Sequence, residues 1–113
     1  MEKSVQLGQR QYLIIGLTVV TAIIHLVLGV LNLPNGGVLF VLNGIGYLAL
    51  VAGLYFVPQL AAQRSLVRWS LIGFTAVTVI LYFVFNWPDV WNVMGIVDKL
   101  IELALIGLLL MEK

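Results

Sequence analysis

The sequence predicts an all-α protein, a transmembrane four-helix up-down bundle, and three observations predict it. Hydrophobic residues make up 62% of the 113 positions and charged residues only 10%, whereas about a quarter of a soluble domain is charged. Four apolar stretches, 12–31, 38–57, 66–85 and 93–111, each run to about twenty residues, enough at ~1.5 Å per residue to cross a ~30 Å hydrocarbon core. None alternates in the manner of a barrel strand, and a backbone in lipid must satisfy its own hydrogen bonds, so each is expected to be helical. Only short connections are left over, and 1–113 reads as a single transmembrane domain.

The first stretch follows Lys3 and Arg10. It is too long for a secretory signal and no small-residue cleavage site follows it, so it is expected to remain as an anchor. Thr18, Ala22, His25, Gly29 and Asn32 fall at helical spacing on one face, a polar and small stripe that should meet protein. Pro34 stops this helix and Asn35 suits the N-cap of the next. The second stretch carries Asn43, Gly46, Tyr47 and Gly53 inward, and Ala49 and Gly53 form a small-xxx-small pair for close helix packing. Pro58 ends it, and Ser65 could cap the third stretch, whose inward row is Gly73, Thr75, Ala76, Thr78 and Tyr82. Pro88 stops the third helix, with Asp89 expected as the N-cap of the fourth.

Charge placement orients the bundle. Lys3, Arg10, Arg64, Arg68 and Lys113 all fall on one side, while the loops 32–37 and 86–92 contain no Lys or Arg. The positive-inside bias therefore puts both termini and the 58–68 loop in the cytoplasm, with Trp87 and Trp91 in the outer interfacial belt and Trp69 in the inner one. The two outward loops also look alike. Asn32-Leu-Pro-Asn35 and Asn86-Trp-Pro-Asp89 lie 54 residues apart, as do Thr21-Ala22 and Thr75-Ala76, and Gly53 and Gly107, which suggests two parallel helical-hairpin repeats.

The fourth stretch breaks the pattern, because Asp98, Lys99 and Glu102 interrupt it. Each charge at a helix centre costs roughly 2.5–3.5 kcal/mol on insertion scales, so three must be compensated or used. Asp98 and Glu102 share a face, and Lys99 stands three residues before Glu102. By rise per residue, His25, Asn43 and Tyr82 reach a similar depth from the outer side. The candidate site is therefore an intramembrane polar cluster of His25, Asn43, Tyr82, Asp98, Lys99 and Glu102.

Other chemistries find little support. With no cysteine, disulfides, thiolate metal sites and cysteine nucleophiles are excluded. The single His and two carboxylates match a metal triad in inventory but not in spacing, and a bis-His haem site would need a second imidazole. No phosphate loop, Ser-His-Asp arrangement, nucleic-acid patch or lipidation signal occurs. No catalytic residue, metal or cofactor is assigned, and the chain is expected not to be an enzyme.

The strings His25-Leu-Val-Leu-Gly29, Leu42-Asn-Gly-Ile-Gly-Tyr47 and Asp98-Lys-Leu-Ile-Glu102 resemble an uncharacterised group of small four-span prokaryotic integral membrane proteins. The resemblance implies a bundle in a prokaryotic cytoplasmic membrane and brings no activity. The expectation is a structural or accessory membrane subunit, a homo-oligomer or part of a membrane complex, held by a buried polar network. The alternative is a small proton- or cation-coupled transporter or channel that uses the fourth-span carboxylates. The partner implied in both cases is the lipid bilayer.

Overall fold

The computed structural model describes residues 7–112. It holds four α-helices, α1 (Gln9–Leu31), α2 (Gly37–Tyr55), α3 (Arg64–Asn86) and α4 (Val93–Met111), with short 3₁₀ turns at Leu33–Asn35 and Pro58–Gln63. No strand occurs among the described residues. Lys3 and Lys113 lie outside them. Helix lengths repeat, since α1 and α3 have 23 residues each and α2 and α4 have 19 each.

The caps differ from the expectations in three places. Asn35 falls inside the 3₁₀ turn, and the N-cap of α2 is Gly36 with φ 89°. That left-handed conformation suits a residue without Cβ, so glycine takes the corner that Asn35 was expected to turn. Asp89 is exposed in the loop, and Asn92 caps α4 by accepting a hydrogen bond from the Gly95 amide at 2.7 Å. The extended backbone after Pro88 delays the helix, leaving Asn92 as the side chain in reach of that amide. Ser65 lies within α3, which already begins at Arg64 because the Pro58–Gln63 turn runs directly into it.

Contacts between helix ends fix the up-and-down order. At one end Glu112 accepts hydrogen bonds from Arg10, Gln11 and Tyr55, Arg64 donates to the Leu54 carbonyl, and Arg68 donates to that of Leu109. At the other end Gly29 meets Gly37, and Tyr82 donates to the Val90 carbonyl. Adjacent helices are therefore antiparallel and form a closed ring of four. The three arginines, Arg10, Arg64 and Arg68, gather at the first end.

Backbone proximity is concentrated between α1 and α2. A Cβ on Gly37 would overlap the Gly29 carbonyl oxygen, and one on Gly44 would sit 2.8 Å from the Ala22 carbonyl oxygen. This glycine seam does the work expected of Ala49 and Gly53. Ala49 is instead exposed, and Gly53 faces Leu60 and Val67. Gly73 is likewise exposed, with open space beside it.

The interior is apolar toward the Glu112 end, where Ile14, Val51, Leu54, Leu71, Leu105 and Leu109 are buried together. Large apolar side chains such as Leu13, Ile23, Val27, Ile45, Ile80, Leu100 and Leu103 cover the outside. Three segments, Gln9–Leu31, Gly37–Tyr55 and Pro58–Asn86, are long and apolar enough to cross a membrane. α4 is as long as α2 but carries Asp98, Lys99 and Glu102, all three turned inward and buried.

Candidate functional site

The buried charges of α4 meet the polar stripe of α1 halfway along the bundle. Asp98 and Glu102 stand one turn apart, and Lys99 lies between them in sequence, with Nζ 3.1 Å from Asp98 Oδ2 and in closer contact with Glu102 Oε1. From α1, Thr21 Oγ1 lies 2.6 Å from Asp98 Oδ1 and 3.0 Å from Glu102 Oε2. From α2, the Tyr47 hydroxyl donates to Glu102 Oε2 at 2.8 Å. Glu102, fully buried, thus ties three helices together.

His25 is oriented by its own helix. Its Nδ1 lies 2.8 Å from the Thr21 carbonyl oxygen, which can only accept, so Nδ1 carries the proton. Nε2 is then the working nitrogen, a lone pair in the neutral ring and an N–H in the cation. It faces Asp98 Oδ2 at 3.8 Å and Glu102 Oε2 at 3.9 Å. The Tyr47 and Phe40 rings pack on the imidazole, with centroids 5.9 and 5.7 Å away.

Beside this cluster lies a cleft of about 570 Å³ between α2 and α3. Its lining runs from Asn35 and Asn86 past Phe40, Phe74 and Phe85, and His25 and Lys99 are the basic groups of that lining. The carboxylates are set behind them. Asn43 and Tyr82, expected within the cluster, stand in the cleft wall. Asn43 donates to neither carboxylate. It instead donates to Thr78 Oγ1 at 2.8 Å, because Thr78 spends its hydroxyl proton on the Phe74 carbonyl and is left as an acceptor. Tyr82 gives its hydroxyl to the Val90 carbonyl and offers its ring to Lys99, whose Nζ is 4.9 Å from the centroid. Lys99 therefore pairs with both carboxylates and does not turn toward the helix exterior.

Two members of the site were missed as site residues. Thr21 precedes His25 by one helical turn and so lies on its face. Tyr47 was placed inward, but nothing local in the sequence said that its hydroxyl would find Glu102, 55 residues on.

At Thr21 the cluster has fewer protons to give than oxygens to receive them. Thr21 has one hydroxyl proton and faces an oxygen from each carboxylate, so it can donate to only one of them. The second contact is satisfied when a proton sits on a carboxyl and is donated to the Thr21 oxygen. Charge gives the same count, because two carboxylates against one ammonium leave one negative charge when His25 is neutral. The cluster has room for one more proton. His25, Asp98 and Glu102 also present ligand atoms within 4.8 Å of one another, a spacing a metal ion could draw together, but Lys99 already supplies a cation to both carboxylates.

No protein-family model, curated protein or solved structure matches the chain.

Proposed function

We propose that this chain is a four-span integral protein of the cytoplasmic membrane that takes up and releases a proton at the His25–Asp98–Glu102 cluster, as a small proton-coupled carrier with both termini inside. The observation that carries the reading is the Thr21 hydroxyl set between two carboxylate oxygens with one proton to give. His25 is placed to relay the proton, since it touches the cleft on one side and both carboxylates on the other. The apolar layer of Val51, Leu71 and Leu105 separates the cluster from the Glu112 end. Access is therefore one-sided in this conformation, and turnover requires a second one. The membrane reading is supported by the apolar exterior, by the three arginines gathered at one end, and by the exposure of Trp69 at that end and of Trp87 and Trp91 at the other.

The test is proton flux into proteoliposomes under an imposed pH gradient. His25→Gln and Glu102→Gln should abolish the flux while the purified proteins keep wild-type helicity. Flux unchanged in both variants would overturn the reading.

A second reading is favoured by the matching of Glu102 to Lys99, Tyr47 and Thr21. In it the network is a fixed pin in a structural or accessory subunit, and no variant changes flux because there is none to change.

A further inference from the structure

We infer that the cleft between α2 and α3 binds a lipophilic primary, secondary or tertiary amine in its protonated form, and that this ammonium and the cluster proton compete for the same negative charge. The inference deepens the proton-exchange reading and rests on it.

Shape and lining set the apolar part of the ligand. A cleft of about 570 Å³ is within the ~300–1,000 Å³ range of small-molecule sites. Its walls are largely aromatic and aliphatic, so the body of the ligand is apolar. Aromatic faces attract cations through their quadrupoles, and the site already shows this with the Lys99 ammonium over the Tyr82 ring at 4.9 Å.

The floor sets the head group. With Nδ1 of His25 committed to the Thr21 carbonyl, the neutral imidazole lines the cleft and its Nε2, 3.8 and 3.9 Å from the two carboxylates, is left as an acceptor. A ligand N–H⁺ can donate to it and supply the missing positive charge in one contact. A quaternary ammonium supplies the charge but no donor, an alcohol the donor but no charge, and a carboxylate adds a second negative charge. The groups facing His25 are Tyr47 from α2 and Asp98, Lys99 and Glu102 from α4, with Tyr82 of α3 beyond Lys99. With the cluster proton present these sum to zero and leave nothing for an ammonium to neutralise. Binding the ammonium therefore expels the proton to water in the cleft, and charge is conserved, with one cation in and one out.

The experiment compares three probes that share a phenylpropyl body: 3-phenylpropylammonium, 3-phenylpropan-1-ol and 4-phenylbutanoate. Binding is measured by titration calorimetry to the full chain in phosphatidylcholine nanodiscs, with empty nanodiscs subtracted and proton release followed in weak buffer. The ammonium should bind at least about tenfold more tightly than the alcohol, the ratio expected of ~1.4 kcal/mol of cation recognition. It should release a proton and weaken as pH falls. Leu42→Trp, which narrows the cleft at an exposed wall position, should lose binding and retain the pH-driven flux of proton alone. Equal binding of ammonium and alcohol would overturn the inference, as would tighter binding of the carboxylate, which would make Lys99 the anchor of an anion site. If the ammonium fails to bind while His25-dependent proton flux persists, the inference falls and proton exchange stands. If the ammonium binds with no proton release and no pH dependence, competition is refuted, and absent flux in the same preparation removes the proton reading as well.

Discussion

At the scale of single residues, the cluster is a test of how a buried charge is held. Removing one member of a buried ion pair strands the other and typically costs about 3–5 kcal/mol. Glu102→Gln leaves Lys99 with Asp98 alone, so thermal or denaturant unfolding in membranes should show a loss of about that size. Lys99→Met in the same chain should return a part of it. The double-mutant cycle measures the coupling, and additive losses would show that Lys99 and Glu102 do not act as a pair. Tyr47→Phe removes one charged hydrogen bond and should cost about 1.5–3 kcal/mol without altering helicity. The residue scale is also where the sequence was least legible. Asp98, Lys99 and Glu102 announced themselves as charges in an apolar run, and His25 as the sole imidazole. Thr21 and Tyr47 did not, because a threonine or tyrosine in a membrane helix is ordinary until its partner in another helix is known. Asn43 misled for the same reason, since Thr78 claimed its amide from a third helix.

Among the elements, the α1–α2 hairpin is set apart by its glycine seam. Gly37→Ala would force a methyl into the Gly29 carbonyl oxygen, and overpacking of this kind costs about 1–3 kcal/mol or spreads the two helices. The melting temperature of that variant should fall well below that of Gly73→Ala, where the added methyl meets open space. At the head of α4, Asn92→Ala should cost about 1 kcal/mol through the lost cap, while Asp89→Ala should be near neutral. Helix positions were readable from apolar runs bounded by Pro34, Pro58 and Pro88, which is why the helices begin and end within a few residues of the expected stretches. Caps were not, because a capping side chain is chosen by where the loop backbone turns, and the loop geometry around Gly36 and Pro88 is a tertiary outcome.

For the whole molecule, orientation in the bilayer is the first matter to measure. If both termini are inside, as proposed, cysteines at Asn35 and Asn92 should react with an impermeant thiol reagent from outside and one at Gln63 should not. The reverse pattern would invert the bundle. Self-association is the second. Gly16, Gly73 and Gly107 are exposed with open space around each, offering small-residue surface to another copy. The mass in nanodiscs should be a multiple of one chain, and a single chain across several lipid compositions would exclude a homo-oligomer.

The inward charges of α4 have a consequence for how the protein is made. Three segments are long and apolar enough to cross a membrane, and the fourth carries three charges, of which the two carboxylates find hydroxyl partners on α1 and α2. If α4 spans the bilayer as proposed, it faces the cost of charge in lipid at the moment of synthesis unless the glycine-sealed hairpin already waits beside it. On that reading its integration is conditional on earlier helices, and the last quarter of the chain acts as a check on the assembly of the first half. In a glycosylation-mapping assay α4 alone should integrate poorly and α4 behind α1–α3 should integrate well. Thr21→Val together with Tyr47→Phe should lower its integration though both changes lie in other helices. A chain with a faulty hairpin would leave α4 outside the bilayer, exposed to quality-control proteases, before any bundle had formed.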